Sequence, residues 1–369
     1  MPKINALRFA LPALCAGLLS ATVAVQAEET VHLYNWNDYF AEDTLPQFQA
    51  RTSIRPVLDL YDNNDVLEAK LFAGKSGYDL VFPTARPFGA RQIKAGLYQP
   101  LDKSKLPGLD KLDGAIMASL KELDPDNAHL VPYMWGTTGL GLNLGKVKDA
   151  LGADAETDTW AIIFDPEQAS KLKGCGISML DDPTEAFAAA LAYLGKDPNS
   201  RTEADLDAAA KVLKAARKNI RYFHSSQYIS DLANGDLCVA HGYSGDLLQA
   251  KSRAAEAAKG VEVGYRIPKQ GAVLWTDVMA IPKDAPNPAA AHAFIAYVLD
   301  PAVVAKVTDF VKYANPNPAA TPLVDEAVRT DPGIYPSDEV KKKLFVLKTP
   351  SDKEQRDLNR RWTRIKAER

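Results

Sequence analysis

Three short segments of the sequence each combine an aromatic side chain with a carboxylate: Trp36 with Asp38, Tyr243 with Asp246, and Trp275 with Asp277. A carboxylate neutralises an organic ammonium ion and accepts its N–H hydrogen bonds, while an indole or phenol face attracts the cation and covers its methylene groups. Taken singly, each pair is better explained as an N-capping aspartate beside a packing aromatic. Three pairs together weaken that explanation, and a site for a small organic cation is the alternative.

The elements that must position these residues are strands that alternate with helices. Strand patterns at residues 31–36, 54–61 and 78–83 alternate with helical patterns at 43–51 and 64–74, the second capped by Asn63 or Asn64. This order predicts a parallel sheet with right-handed crossovers. Ligands bind beyond the carboxyl ends of the strands in such sheets. We therefore expect residues 36–38 and 84–86 at one sheet edge.

A second set of alternating elements begins near Gly139. Predicted strands lie around residues 140–142, 177–180, 220–223 and 237–243, separated by helices at 185–194 and 204–216, and strand patterns return at 261–268 and 277–282. Helices are predicted at 288–299 and 301–312. The fold class is therefore α/β with two lobes. Trp275 and Asp277 stand at the start of a predicted strand, and the strand pattern alone does not explain how they would join the site.

Composition excludes several classes of protein. The 369 residues include 44 Lys and Arg against 47 Asp and Glu, so the net charge is −3, and 46% of the residues are apolar. These values are typical of a globular chain of two or three domain-sized units, and they exclude a disordered chain or a disulfide-dense miniprotein. Because no basic excess is present, nucleic acid is not an expected partner.

Residues 1–27 have the pattern of a secretory signal peptide. Lys3 and Arg8 precede an apolar run at residues 11–19, and the small residues Val25 and Ala27 stand at the positions that direct cleavage. A membrane anchor is the alternative, but the apolar run is about half of the roughly 20 residues that a membrane span needs, and Pro12 interrupts it. We expect cleavage after Ala27 and export.

Export bears on the three cysteines. Cleavage removes Cys15 and leaves Cys175 and Cys238, each at the start of a buried-looking strand. An even pair in an oxidising compartment predicts a disulfide with a structural role, and two buried free thiols are the alternative. The pair is too far apart in sequence to be a Cys-x-x-Cys redox motif.

The motifs of enzymatic chemistry are missing. The Gly74-Lys75-Ser76 segment lacks the earlier glycine of a phosphate-binding loop, and the glycines at 136–141 lack dinucleotide-binding spacing. The five histidines are scattered without metal-ligand spacing, and Tyr243-Ser244-Gly245 lacks the first glycine of a nucleophile elbow. We therefore predict no metal, no cofactor and no enzymatic activity.

Nearly all of the chain after residue 27 resembles the periplasmic polyamine-binding proteins of ABC transporters, especially the putrescine-binding branch. The stretches that carry the resemblance are YNWNDY (34–39), YMWGTTG (133–139), GKDPNS (195–200), IRYFHSSQY (220–228), DLANGD (231–236), YAN (313–315) and PGIY (332–335). The resemblance implies the type II periplasmic-binding-protein fold, in which two lobes joined by chain crossings clamp a ligand. It also implies a Cys175–Cys238 bridge.

The resemblance further implies a ligand-binding set. Its members that match the family pattern are Trp36, Asp38, Glu185, Ser225, Asp246, Asp277 and Tyr313. The four carboxylates would place the amines, and Trp36, Trp275 and Tyr313 would line the methylene chain. By sequence alone, Glu185 could equally be a first-turn acid favoured by the helix dipole, and Tyr313 a packing residue at a helix end.

The sequence departs from the family pattern at five predicted binding positions: Asn37, Thr84, Arg86, Tyr243 and Trp275. Arg86 lies in a segment that is one residue longer than in relatives. Its guanidinium would either approach the pocket, where it competes with a dication or shapes the acids, or face outward as a surface charge.

The resemblance implies lobe 1 from residues 28–136 and about 256–305, and lobe 2 from 137–255 and about 306–369, with crossings near 136–138 and 254–260. The expected function is capture of a polyamine and delivery to an inner-membrane permease by a monomer. Putrescine is favoured, and spermidine, cadaverine, agmatine or an acidic conjugate that pairs with Arg86 are the alternatives. A periplasmic polyamine-acting enzyme is disfavoured, and a sensing role without transport stays open.

Overall fold

Residues 29–367 are described by a computed structural model, so the predicted signal peptide lies outside the described residues. The strands of the described chain are β1 (Thr30–Trp36), β2 (Arg55–Tyr61), β3 (Leu80–Val81), β4 (Leu130–Asn143), β5 (Ile177–Met179), β6 (Ile220–Phe223), β7 (Val239–Tyr243), β8 (Val263–Arg266) and β9 (Leu274–Ala280). They form one sheet in the order β2-β1-β3-β9-β4-β7-β5-β6, and β8 also pairs with β4.

Helices pack against the strands of this sheet. They are α1 (Thr44–Thr52), α2 (Asn64–Ala73), α3 (Ala90–Lys94), α4 (Gly114–Lys121), α5 (Leu144–Leu151), α6 (Ala161–Phe164), α7 (Pro166–Leu172), α8 (Pro183–Tyr193), α9 (Glu203–Arg217), α10 (Tyr228–Ala233), α11 (Ser244–Ala257), α12 (Pro288–Val298), α13 (Pro301–Val311), α14 (Glu326–Arg329), α15 (Asp338–Lys341) and α16 (Asp352–Ala367).

The first half of the sheet follows the predicted order. Strand β1 pairs in parallel with β2 and β3, as the β-α-β-α-β pattern requires. The α2 helix is capped by Asn63, whose side chain accepts a hydrogen bond from the Val66 amide at 3.0 Å. That bond decides between the two predicted caps, because it satisfies one of the amides that a helix start leaves without a partner.

The long strand β4 joins the two halves. Residues up to Thr137 pair with β9 in the first half, and residues from Thr138 pair with β7 in the second. The predicted crossing at residues 136–138 coincides with this change of partner. The return crossing lies between β8 and β9, after the predicted segment 254–260, because β8 still pairs with the second half of β4. The bounds of the lobes stay a prediction.

Apolar residues are buried beside both halves of the sheet. Phe48, Phe82 and Phe294 are fully buried beside the first half of the sheet, and Trp160 and Phe187 are buried beside the second. The second half is also crosslinked, since Cys175 and Cys238 form the predicted disulfide with a Cα–Cα distance of 5.5 Å. The bridge joins the chain just before the neighbouring strands β5 and β7, so it holds two adjacent strand starts together.

Candidate ligand-binding site

A cavity lies between the two halves of the sheet, and most of the predicted binding residues line it. The predicted residues that line it are Trp36, Asn37, Thr84, Arg86, Glu185, Ser225, Tyr243, Asp246, Trp275, Asp277 and Tyr313. They come from the ends of β1 and β7, from the segments after β1, β3 and β6, from β9, from the first turns of α8 and α11, and from the segment after α13. The fold therefore assembles eleven of the twelve predicted residues around one space.

Asp277 is the buried acid contributed by the first half. Its carboxylate accepts hydrogen bonds from the Tyr39 hydroxyl at 2.8 Å and the Thr84 hydroxyl at 2.7 Å. Burial raises the pKa of Asp277 to about 7, the two hydroxyl donors oppose that shift, and the charge of Asp246 adds to it. Because β9 runs antiparallel to β3 and β4, its early residues reach the edge where β3 ends. This is the geometry that the strand pattern did not supply.

Asp246 is the corresponding acid of the second half, in the first turn of α11. Its carboxylate accepts hydrogen bonds from the Tyr228 hydroxyl at 2.6 Å and the Tyr313 hydroxyl at 2.8 Å. Burial raises its pKa to about 6, against the effect of these two donors. The ring of Tyr313 lies against Gly245, where a Cβ atom would stand 2.5 Å from it, so a larger residue at 245 would displace one of the donors.

Two further acids stand at the start of α8. Glu185 accepts a hydrogen bond from the Thr138 hydroxyl at 3.1 Å through one oxygen, while its other oxygen is buried without a partner. Burial, reinforced by the charge of Asp182, raises the pKa of Glu185 well above its ordinary value. Asp182 caps α8 by accepting from the amides of Thr184 and Glu185, and burial together with Asp65 raises its pKa to about 6.

Aromatic rings form a continuous wall beside these acids. Trp36 contacts Tyr243 edge to face at 6.4 Å between ring centroids, Tyr243 contacts Trp275 at 5.8 Å, and Trp275 contacts Tyr313 at 5.0 Å. The Trp36 indole is fixed by donating to the Phe82 carbonyl at 2.8 Å. A wall of ring faces beside carboxylates combines cation–π attraction with apolar cover for methylene groups.

Arg86 lines the cavity, but its charge is used elsewhere. Its guanidinium donates to the Glu122 carboxylate at 2.7 Å and to the Ser119 carbonyl at 2.9 Å, at the end of α4. Neither partner lines the cavity. The guanidinium therefore forms an ion pair at the end of α4, on the side of the first half of the sheet.

Asp38 is the one predicted binding residue that does not line the cavity. It is exposed and forms an ion pair with Arg253 at 3.2 Å. Its backbone adopts φ 53°, so the chain turns sharply after Asn37 and carries the Asp38 side chain to the surface. Because Arg253 belongs to α11, this ion pair connects the first half of the sheet to a helix of the second.

The sequence interpretation did not single out several residues of the site, among them one further acid and the two tyrosines that hold Asp277 and Asp246. Asp182 lines the cavity, and the run Asp182-Pro183-Thr184-Glu185 is a recognisable helix start, with a capping residue and an acid three positions later. Tyr39 and Tyr228 hold the two aspartates through their hydroxyl groups. Those two tyrosines carry no local signal, because their partners lie 238 and 18 residues away in sequence.

Metal ligation and membrane crossing were searched for over residues 29–367. Within that range no group of three or more His, Cys, Asp or Glu side chains is arranged to hold a metal ion. No helix of the same range combines the length and the apolar composition that a membrane span requires.

Comparison with known proteins identifies the family. Residues 46–336 match the family described as bacterial extracellular solute-binding protein. The chain is 52% identical to the putrescine-binding periplasmic protein SpuD of Pseudomonas aeruginosa, over 95% of this chain and 96% of that protein. It is also 52% identical to the putrescine-binding periplasmic protein PotF of Escherichia coli, over 97% of each chain.

A solved structure supports the same assignment. The spermidine/putrescine ABC transporter substrate-binding protein PotD of Streptococcus pneumoniae superposes with a TM-score of 0.73 at 25% identity, over 92% of this chain and 98% of that one. The chain therefore belongs to the bacterial extracellular solute-binding protein family, and the predicted type II fold is confirmed. Because the family and both relatives are binding proteins, the chain is a solute-binding protein and not an enzyme.

Proposed function

We propose that this solute-binding protein captures a polyamine in the periplasm, with putrescine as the favoured ligand, and delivers it to an ABC permease in the inner membrane. The periplasmic putrescine-binding relatives, at 52% identity over nearly the whole chain, support this assignment. In the proposal, the chemistry of the cavity selects the amine, and the family fold provides the two halves that enclose it.

The observation that carries the proposal is a set of buried acids with no cation of the protein paired to them. Among residues 29–367, no Lys, Arg or His forms a salt bridge with Asp182, Glu185, Asp246 or Asp277. Burying an unpaired carboxylate costs free energy, so such a group either holds a proton or binds a cation from outside the protein. A diammonium ligand supplies the missing positive charges to acids of both halves.

The aromatic wall fits the rest of such a ligand. Putrescine has four methylene groups between its two amines, and these groups need apolar cover once they leave water. At the ceiling of roughly 1.5 kcal/mol per heavy atom, a ligand of about six heavy atoms reaches about 9 kcal/mol. That free energy corresponds to a submicromolar dissociation constant, so tight capture of so small a ligand is physically allowed.

The number of acids also bears on which amine binds. Asp246 and Asp277 belong to opposite halves of the sheet, and Asp182 with Glu185 adds a second acidic position at the start of α8. A third acidic position could pair with the extra amine of spermidine, which keeps spermidine as the second candidate. Because Arg86 is already paired with Glu122, an acidic conjugate is disfavoured as the ligand.

Closure, location and assembly complete the proposal. We infer that the signal peptide is cleaved after Ala27 and that the mature protein acts as a monomer, with the chain crossing between its lobes at residues 136–138 and at the β8–β9 connection. Movement of the halves about β4 and the β8–β9 connection would enclose the ligand, and the closed form would dock on the permease. The disulfide between Cys175 and Cys238 suits an oxidising compartment.

The test is calorimetric titration of ligand-stripped mature protein with putrescine, cadaverine, spermidine, spermine, agmatine and lysine. We expect a submicromolar dissociation constant for putrescine and weak or no heat for lysine, whose carboxylate would face the buried acids. Absence of binding to every di- and polyamine in the panel would refute the proposal. Growth and labelled-putrescine uptake in a strain that lacks the protein then separate transport from sensing, since only a transport role predicts lost uptake.

A further inference from the structure

We propose that Gly136 sets which amines the cavity accepts, because the absence of its side chain is what allows Trp275 to lie against strand β4. The inference rests on the proposed function and deepens it. It assigns a specificity role to a residue that contributes no ligand-binding group of its own and does not line the cavity.

The two residues face each other directly. Gly136 of β4 and Trp275 of β9 are opposed in the antiparallel register. A Cβ atom on residue 136 would lie 2.8 Å from Cζ2 and 2.9 Å from Cη2 of the Trp275 indole. Carbon atoms in contact are about 3.5–4.0 Å apart, so the outer ring of the indole occupies the space of the missing side chain.

Neighbouring aromatic rings confine the indole on the sides away from the cavity. Its edges contact the rings of Tyr243 and Tyr313, at centroid distances of 5.8 and 5.0 Å, and only 7% of Trp275 is exposed. A methyl group on residue 136 would therefore push the ring toward the cavity that it lines. Close-packed interiors transmit such displacements because they contain little empty space.

The same position also supports the helix that carries Asp246. A Cβ atom on residue 136 would lie 2.8 Å from the hydroxyl oxygen of Ser244, the first residue of α11. That oxygen accepts a hydrogen bond from the Thr137 amide at 3.3 Å. Two walls of the cavity, the indole and the start of α11, thus converge on one glycine, and enlarging it narrows the cavity from both sides.

A narrower cavity penalises ligands unequally. The short diamine needs less space along the wall than a triamine does, so loss of space should weaken spermidine more than putrescine. Trp275→Phe removes the outer indole ring, and that change restores the space that Gly136→Ala occupies. The structure therefore predicts that residues 136 and 275 act as a size-matched pair.

The experiment is a double-mutant cycle of Gly136→Ala and Trp275→Phe. Calorimetry gives the dissociation constants for putrescine and spermidine, and urea unfolding without ligand gives stability. We expect Gly136→Ala to weaken spermidine about tenfold and putrescine about threefold or less, and to lower stability. In the Trp275→Phe background the same substitution should have little effect on stability or on the spermidine-to-putrescine ratio.

A control on the same strand separates this pair from general crowding. A Cβ atom on Gly139 would lie 2.5 Å from the Arg266 carbonyl and 2.7 Å from the Tyr265 hydroxyl, away from the indole. Trp275→Phe should not rescue Gly139→Ala. Additive effects of the 136 and 275 substitutions overturn the inference, and so does rescued stability with an unchanged amine ratio.

The two proposals fail in different ways. If wild-type protein binds no amine, the proposed function is refuted. The double-mutant cycle measured by urea unfolding still shows whether residues 136 and 275 act as a size-matched pair. If wild-type protein binds putrescine and the cycle is additive, only the role of Gly136 is refuted.

Discussion

A carboxylate inside the cavity and a carboxylate on the surface beside it have opposite surroundings. Asp277 is buried, and its oxygens accept hydrogen bonds only from the neutral hydroxyl groups of Tyr39 and Thr84. Asp38 is exposed and forms an ion pair with Arg253. Both acids follow a tryptophan by two positions in sequence, so local sequence does not distinguish them.

The difference shows how a protein keeps an acid available for an external cation. A hydroxyl donor orients a carboxylate without neutralising its charge, whereas a guanidinium supplies the positive charge that neutralises it. Burial then makes the unpaired charge costly, and a bound ammonium removes that cost. The buried acids are consequently predicted to control ligand affinity, while Asp38 is predicted to affect the contact between the halves.

The largest effect is expected from neutralising a buried acid. Asp277→Asn or Asp246→Asn should weaken putrescine about a thousandfold, because removing one partner of a buried charge pair costs about 3–5 kcal/mol. Calorimetric titration measures the change, and circular dichroism with thermal unfolding verifies that each variant is folded. Binding within tenfold of wild type for either folded variant would contradict its place in the site.

Acid conditions should reproduce part of that loss in the unmodified protein. The pKa is raised to about 7 for Asp277 and to about 6 for Asp246, so lowering the pH from 8 to 5 protonates both carboxylates. The ligand amines stay charged throughout, because alkyl ammonium groups titrate near pH 10. We expect putrescine affinity to fall about a hundredfold or more over this range. A flat titration series from pH 8 to 5 would exclude control by these acids.

The same substitutions should stabilise the protein when no ligand is present. Asp277 holds its proton more tightly in the folded chain, with a pKa near 7, than in the unfolded chain, where 3.8 is ordinary. The stability that this tighter proton binding gives the folded chain is complete below pH 3.8 and is lost as the pH rises through 7. At pH 8, Asp277→Asn should raise the melting temperature of ligand-free protein by about 2–4 °C, and at pH 4 it should give no gain. A lower melting temperature at pH 8 would contradict this reasoning.

The parts of this comparison that local patterns encode were predictable from the sequence. The alternation of strands and helices up to β3 follows hydrophobic periodicity, and the two cysteines follow from export. The three pairs of a ring and an acid marked five residues that line one cavity, and the family resemblance supplied the other six. Such features depend on neighbours along the chain or on a resemblance spread over the whole of it.

The features that were missed depend on contacts between distant segments. Strand β4 was predicted only in its second half, since residues 130–139 are buried almost throughout and show no alternation. Asp38 was predicted as a binding acid from its pairing with Trp36 and from the family resemblance, and only the tertiary structure shows its ion pair with Arg253. The hydroxyl groups of Tyr39 and Tyr228 likewise meet their acids only in the folded chain.

The smallest effect is expected at the surface. Asp38→Asn should change the dissociation constant for putrescine by about threefold or less, because exposed ion pairs contribute about 0–1 kcal/mol and are screened by salt. Arg253→Gln should change the dissociation constant by the same factor, and the double variant should have the dissociation constant of either single variant, since each removes the same ion pair. Because that pair joins the two halves of the sheet, its loss should appear as faster ligand release in stopped-flow measurements. At 1 M salt, wild type should release the ligand as fast as the variants do. A loss of affinity comparable to that of Asp277→Asn would instead place Asp38 in contact with the ligand and remove the distinction between cavity and surface.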